Sequence, residues 1–194
     1  NKETIVSIFV NPTQFNQKKD FKNYPRNIKK DISILKKLKV TYLFLPEVNE
    51  IYKKRLKNFI LSKSDRILCA KFRKGHFEGV LNVMNRLLSV VKSKNVYMGE
   101  KDFQQYRLIK KILGKKYKIN IIGCPTIRES NKIALSTRNK LLNKSSIKAA
   151  SKIAIKLNKL KKLSQRGKLL DLSKYKNELE NKFKIKIDYL EFRD

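Results

Sequence analysis

Tryptophan is absent from the 194 residues, and cysteine (two), histidine (one), proline (four) and glycine (six) are scarce. Each shortage removes a class of explanation. Cys69 and Cys124 lie far apart, in neither a CxxC pair nor a His/Cys cluster, so they read as reduced packing thiols rather than a disulfide framework or a zinc site. A single histidine cannot build a metal centre or a triad unaided, and no Ser/His/Asp arrangement or paired-carboxylate spacing supports hydrolysis. His76, in Gly75-His76-Phe77-Glu78-Gly79, is expected to play a supporting part. Long apolar runs are missing as well: Ile5 to Val10 is far short of the roughly 20 residues of a membrane span, and no charged-then-apolar signal segment opens the chain. A soluble cytoplasmic protein with no membrane partner is expected.

Acidic residues are also in short supply. Sixteen Asp and Glu oppose 48 Lys and Arg, a net charge of +32. Such an excess is the footprint of a phosphate-binding surface, but here it runs evenly through both halves, with no basic tail or stripe. Of the 48 cations only 10 are Arg, the side chain suited to bidentate recognition, and 38 are Lys. Lys, Asn and Ile share AT-rich codons, so a drift in coding composition produces this surface without a polyanion. A specific nucleic-acid partner is therefore not expected, although a basic nucleic-acid-binding module stands as the alternative. The 41% hydrophobic content is enough for a substantial core.

Short β-branched runs alternate with stretches of helical period, the pattern of an α/β protein with a parallel sheet flanked by helices. Strands are expected over Thr4 to Val10, Thr41 to Leu45, Asn95 to Met98 and Lys118 to Cys124. Helices are expected over Asn27 to Leu38, Gly79 to Val91 and Phe103 to Leu113. Beyond Pro125 the character changes to a polar stretch, a basic amphipathic helix Ser146 to Leu163, a helix Ser173 to Phe183 and a final strand Ile185 to Leu190. In the basic helix Ile147, Ala150, Ile153, Ala154, Leu157 and Leu160 form a stripe better suited to a core than to a membrane surface.

Ligands of open parallel sheets bind beyond the carboxyl ends of the strands, so the residues after each strand are the candidates. Asn11-Pro12-Thr13-Gln14-Phe15 follows the first strand; Gln14 either reads a hydroxyl or carboxylate or is a solvated turn residue. Gly99-Glu100-Lys101-Asp102-Phe103-Gln104-Gln105 follows the third. Gly99 permits close approach of a ligand, Lys101 adds an ammonium where a helix begins, and Gln105 lies one turn along; the alternative is an Asp102-capped helix with a solvated Lys101. Leu135-Ser136-Thr137-Arg138-Asn139 concentrates two hydroxyls and a guanidinium, a set that suits a triphosphate or, more plainly, caps a helix.

In order, SIFVNPTQF, DFKNYPR, GHFEGVLNVMNRL, YMGEKDFQQ, PTIRE and ALSTRN resemble the successive blocks of the pantothenate synthetase (pantoate:beta-alanine ligase) family. The resemblance spans essentially the whole chain. It implies a Rossmann-like, class I nucleotidyl transferase-like domain over 1–127 and a smaller α+β C-terminal lid domain over 128–194, in a homodimer. It also implies an ATP-dependent condensation of pantoate with beta-alanine through a pantoyl adenylate, releasing AMP and pyrophosphate, with Mg2+ accompanying ATP. Carried over by motif, Gln14 would hold pantoate and lie near beta-alanine, and Gln105 would hold pantoate. Gly99, Glu100, Lys101 and Asp102 would line the ATP site, Ile127 would touch the adenine region, and Leu135, Ser136, Thr137 and Arg138 would grip the phosphates. Lys101 and Arg138 would be catalytic, placed where oxyanion charge grows. A related ligase adenylating another hydroxy acid is a further alternative.

The departures also carry expectations. The family's first strand and HIGH-like segment, with two histidines of which one is the assigned proton donor, have no counterpart here, and the chain stops within the C-terminal domain. A fragment without measurable ligase activity of its own is expected. Thr137 stands where a second Ser is usual, and Ser130-Asn131-Lys132 where an Asp-Gly turn is common. The hydroxyl is kept, whereas loss of the Gly is expected to alter the turn presenting Ser136.

Overall fold

The computed structural model describes residues 2–15, 18–53 and 55–193. The chain divides into two compact units, Asn1–Cys124 and Pro125–Asp194. In the first, strands β1 (Ile5–Ser7), β2 (Tyr42–Phe44), β3 (Asn95–Gly99) and β4 (Asn120–Cys124) alternate with helices α1 (Lys18–Asn23), α2 (Ile28–Lys37), α3 (Val48–Tyr52), α4 (Cys69–Phe72), α5 (His76–Val90), α6 (Phe103–Ile109) and α7 (Lys115–Tyr117). The strands pair as two parallel ladders, β1 with β2 in the register Ile5 to Tyr42 and β3 with β4 in the register Asn95 to Asn120. This is the expected α/β arrangement of parallel strands flanked by helices. β1 is shorter than expected because its partner offers only three residues before Pro46, which has no N–H to extend the ladder.

The core of this unit is built on α5. Its apolar residues recur at three- and four-residue spacing, so Phe77, Val80, Leu81 and Leu88 share one face, and that face is buried with Leu108 and Ile109 of α6, Leu113, and Ile121 of β4. The helix expected over Phe103 to Leu113 changes pitch after Ile109. A π turn, Lys110–Gly114, joins α6 to α7 and keeps Leu113 fully buried despite the extra residue per turn.

The second unit contains α8 (Lys144–Gln165), capped by the Asn143 side chain on the Ser146 N–H, and α9 (Leu172–Phe183), capped by Asp171 on the Lys174 N–H. Leu160 and Leu179 are their buried residues, and Lys156 of α8 reaches both Glu178 and the Tyr175 ring of α9. The stripe expected on α8 is half-buried except for Leu160, which is fully buried, and Leu157, which is 38% exposed. The strand expected over Ile185 to Leu190 is not formed. Its backbone donors turn back onto the end of α9, Ile185 N–H to the Glu180 carbonyl at 3.3 Å and Ile187 N–H to Glu180 Oε1 at 2.7 Å, so they are taken before a ladder can use them. Among the described residues no helix is long and apolar enough to cross a membrane.

Candidate functional site

In the first unit the turn after β1 is a 3-10 helix, Pro12–Gln14, entered through Asn11. Asn11 is 1% exposed, and both ends of its amide are engaged: Oδ1 accepts from the Thr13 N–H at 3.2 Å and Nδ2 donates to the Gly79 carbonyl at 3.3 Å. A buried amide must find such partners or cost of the order of 1–3 kcal/mol. The Gln14 carbonyl accepts from His76 Nδ1 at 2.6 Å, at the start of α5, which is the supporting part expected of the histidine. The Gln14 side-chain amide has no hydrogen-bond partner among the described residues.

After β3, Gly99 leads into a 3-10 turn, Glu100–Asp102, and then α6. Asp102 does not cap that helix. Its carboxylate instead binds the Lys101 ammonium at 3.1 Å, so a charge-assisted bond to the neighbouring residue replaces the capping bond. Glu100 turns toward β4, its Oε1 lying 2.7 Å from where a Cβ on Gly123 would stand. Gly99 has an ordinary extended backbone, φ −68° and ψ 130°, and a Cβ there would meet nothing within 4 Å.

The adjacent glutamines of α6 part company. Gln104 is committed to the protein: Oε1 accepts the Ala70 N–H at 3.3 Å and Nε2 donates to the Ile67 carbonyl at 2.7 Å and the Asp65 carbonyl at 3.4 Å. Gln105, about 100° further round the helix, has no side-chain hydrogen bond among the described residues. Lys111 reinforces the same loop through Asp65, at 2.7 Å. Burial pushes the Asp65 carboxyl up, but hydrogen bonds from Lys111 and Ser62 and the Lys111 charge outweigh it and hold it below the usual carboxylate value.

Residues 65–79 therefore touch both carboxyl-end loops. Gln104 pins their first half to α6, and His76 and Gly79 pin their second half to the Asn11–Gln14 turn. The Gly79 contact requires glycine, since a Cβ would come within 2.5 Å of the Thr13 carbonyl oxygen. One segment thus ties together the loops bearing Gln14 and Gln105, although no hydrogen bond joins those two side chains.

In the second unit the chain doubles back. Leu135 N–H donates to the Ile127 carbonyl at 2.9 Å, Arg128 bridges antiparallel to Ala134, and Lys132 N–H closes on Glu129 at 2.8 Å. Ile127 and Leu135 are thereby neighbours, with exposures of 69% and 59%. The Ser130-Asn131-Lys132 turn forms without its glycine because Lys132 itself takes the left-handed conformation, φ 72°. Ser136 caps the following 3-10 helix, Thr137–Leu141, its Oγ accepting from the Arg138 N–H at 3.3 Å. Capping uses an Oγ lone pair and leaves the hydroxyl proton to donate elsewhere. Thr137 and Arg138 are exposed.

Three anchors were not singled out in the sequence. Glu129 accepts from Asn139 Nδ2 at 2.8 Å and Asn131 Nδ2 at 3.2 Å, fastening the Ser136–Arg138 turn to the hairpin. Gln104 was hidden behind its twin. Glu129 and Asn139 lie inside the quoted PTIRE and ALSTRN blocks, and the conjunction of a carboxylate with an amide ten residues on was the available signal.

Parallel strands whose carboxyl-end loops carry amides, a lysine and a glycine-led turn into a helix define an α/β protein with a candidate ligand-binding end. The comparisons with known proteins then give the family. The family model for pantoate-beta-alanine ligase matches residues 1–194. The chain is 38% identical to the pantothenate synthetase of Thermosipho africanus and 39% identical to that of Fervidobacterium nodosum, in each case over 100% of this chain and 71% of the relative. It superposes on the Francisella tularensis pantoate-beta-alanine ligase, solved with beta-gamma ATP and beta-alanine, with a TM-score of 0.85 and 38% identity, covering 100% of this chain and 72% of the other. The chain belongs to the pantoate-beta-alanine ligase family, whose members are ligases of pantothenate biosynthesis.

Proposed function

We propose that this chain binds ATP, pantoate and beta-alanine and contributes to their condensation to pantothenate in the cytoplasm. The observation that carries the reading is the 65–79 segment, which holds the loops of Gln14 and Gln105 while leaving both amides unengaged among the described residues. In the first step a pantoate carboxylate oxygen attacks the α-phosphorus of ATP; the new P–O bond forms as the bond to pyrophosphate breaks, giving a pantoyl adenylate. In the second, the beta-alanine amine attacks the acyl carbon, the C–O bond to AMP breaks, and the ammonium gives up its proton. Gln14 and Gln105 orient the hydroxy acid, Gln14 also lying near beta-alanine. Gly99, Glu100, Lys101 and Asp102 line the nucleotide loop of a domain over 1–127. Ile127, at the end of that domain, takes the adenine edge, and Leu135, Ser136, Thr137 and Arg138, on a lid over 128–194, take the phosphates.

Lys101 and Arg138 are the proposed catalytic cations. Phosphoryl attack needs positioning and charge stabilisation more than covalent help. Lys101 is held by Asp102 through one exposed ion pair, an interaction worth little, so it is readily surrendered to a phosphate. Among the described residues no three of His, Cys, Asp and Glu gather into a metal cage. Magnesium, which would neutralise phosphate charge, belongs to this reading as a companion of the nucleotide rather than of a protein cage. Assembly as a homodimer belongs to the same reading.

The test is pantoate-dependent exchange of pyrophosphate into ATP and pantothenate formation by the full protein. Lys101→Ala is expected to cut kcat by about 10²-fold or more, the cost of one oxyanion donor, with an unchanged melting temperature. Retained exchange would remove Lys101 from the chemistry. Exchange triggered by a different hydroxy acid would redirect the substrate assignment. A basic polyanion binder would instead tolerate Lys101→Ala and lose nucleic-acid affinity steeply with salt. The same assay on these 194 residues alone checks the expectation that they do not turn over.

A further inference from the structure

Tyr52, the last residue of α3, lies outside every block that carries the family resemblance, yet its hydroxyl closes a hydrogen-bond triangle on the Asn11–Gln14 turn. It donates to Asn11 Oδ1 at 2.7 Å, the shortest bond that oxygen accepts, and stands 3.0 Å from Thr13 Oγ1. Thr13 Oγ1 is also 3.0 Å from Asn11 Oδ1. Proton accounting orders the three. The Asn11 amide cannot be flipped, because Nδ2 donates to the Gly79 carbonyl, so Oδ1 is acceptor only. It accepts from the Thr13 N–H, the Thr13 hydroxyl and the Tyr52 hydroxyl, and the two hydroxyl oxygens stand 3.0 Å apart.

The ring that carries this hydroxyl is itself fixed. The guanidinium of Arg86, only 8% exposed, lies 4.7 Å from the Tyr52 ring centroid, and its Nη1 donates back to the Asn82 carbonyl at 3.1 Å. Arg86 Nε has no hydrogen-bond partner within the described structure, so the stack on Tyr52 is a main interaction of a nearly buried cation. A chain of contacts thus runs from the middle of α5 through Arg86, Tyr52 and Asn11 to the turn that ends in Gln14.

We infer that Tyr52 is a positioning residue for the hydroxy acid: through Asn11 and Thr13 it holds the turn that presents Gln14, without touching the substrate itself. This rests on the ligase reading and adds to it the element that sets the acid subsite. Tyr52→Phe removes one hydroxyl and keeps the ring and its stack on Arg86. In the full protein it is expected to raise KM for pantoate about five- to tenfold, the size of one buried hydrogen bond, with KM for ATP changed less than twofold. Thr13→Val, which removes the other hydroxyl of the triangle, is expected to shift KM for pantoate in the same direction and provides the check if Tyr52→Phe does not fold. A purely structural role would lower the melting temperature and the apparent kcat while leaving both KM values alone. That result, an equal change in both KM values, or an unchanged KM for pantoate overturns the inference. Absence of any pantoate-dependent exchange in the unmodified protein overturns the ligase reading, and this inference with it.

Discussion

Replacing Gly79 by alanine would press on the contact that joins α5 to the turn after β1. The added Cβ would lie 2.5 Å from the Thr13 carbonyl oxygen, 3.0 Å from its carbon and 3.3 Å from Gln14 Cα. Carbon and oxygen rest at about 3.3–3.6 Å in close contacts, so helix and turn must separate by about 0.8 Å or more. All three neighbours are backbone, and the bonds from Asn11 to Gly79 and from His76 to Gln14 resist the separation. Overpacking of this kind costs about 1–3 kcal/mol, and the better helix propensity of alanine returns about 1 kcal/mol. The net loss is about 0–2 kcal/mol, or a fall in Tm of up to roughly 8 °C for a chain of this size. The larger effect should be on function, because Gln14 moves with the turn and a displacement near 1 Å can cost up to about 10²-fold. Thermal unfolding and kcat/KM for pantoate, measured on the same preparation, separate the two. A variant that melts at or above the parent temperature and keeps its KM for pantoate refutes the reasoning.

Gly99→Ala meets neither a clash nor a strained φ, so it should leave stability unchanged or raise it by about 0.4–1 kcal/mol while raising KM for ATP; a denaturant midpoint beside an ATP titration reads both. Gln104→Ala should destabilise the 65–70 loop by about 1–3 kcal/mol by removing three side-chain bonds and leaving the Asp65 carbonyl without its partner, while the Ala70 N–H keeps its bond to the Ile67 carbonyl, whereas Gln105→Ala should leave the melting curve alone and weaken pantoate binding. Lys132→Gly should stabilise by about 1 kcal/mol by relieving the left-handed lysine, read as a higher urea midpoint. The Asp65 carboxyl is held low in the folded state, so its contribution is present above the ordinary carboxylate pKa and is lost as pH falls through the folded value. Asp65→Asn should therefore be less stable than the parent at pH 7, with the difference closing below about pH 4 in urea titrations.

The alternation of β-branched and helical-period segments was enough to place the four parallel strands and the helices that carry the core, because α5 buries one periodic face against α6 and β4. The pattern failed at Ile185 to Leu190 for an identifiable reason. β-branched alternation says that a segment would make a good strand, not that a neighbour's edge is available, and the Glu180 side chain captured the Ile187 N–H first. The π turn at Lys110–Gly114 was equally invisible, since one added residue per turn alters the apolar spacing by too little to register. In the candidate site, motif position singled out the loops but not the division of labour within them. Gln104 and Gln105 are the same residue type side by side, and only the course of the 65–70 loop decides which is consumed by the protein.

Glycine usage draws the same line between what the fold needs and what the site needs. Of the seven described left-handed positions, four hold lysine (Lys39, Lys118, Lys132 and Lys184), one holds Leu68, and only Gly75 and Gly167 are glycine. A left-handed lysine costs about 1–2 kcal/mol, a penalty the fold tolerates repeatedly in a chain so rich in Lys. A Cβ at Gly79 would instead press on backbone at 2.5 Å and displace the turn that carries Gln14, a cost to the site as well as to the fold. Gly99 answers to neither demand: its φ is ordinary and open space surrounds the missing Cβ. In a chain with six glycines, one that neither conformation nor packing accounts for, placed at the carboxyl end of a parallel strand ahead of Lys101, is best accounted for by something outside the chain that comes close to its backbone. The phosphate tail of the proposed nucleotide, approaching that loop, would supply the reason.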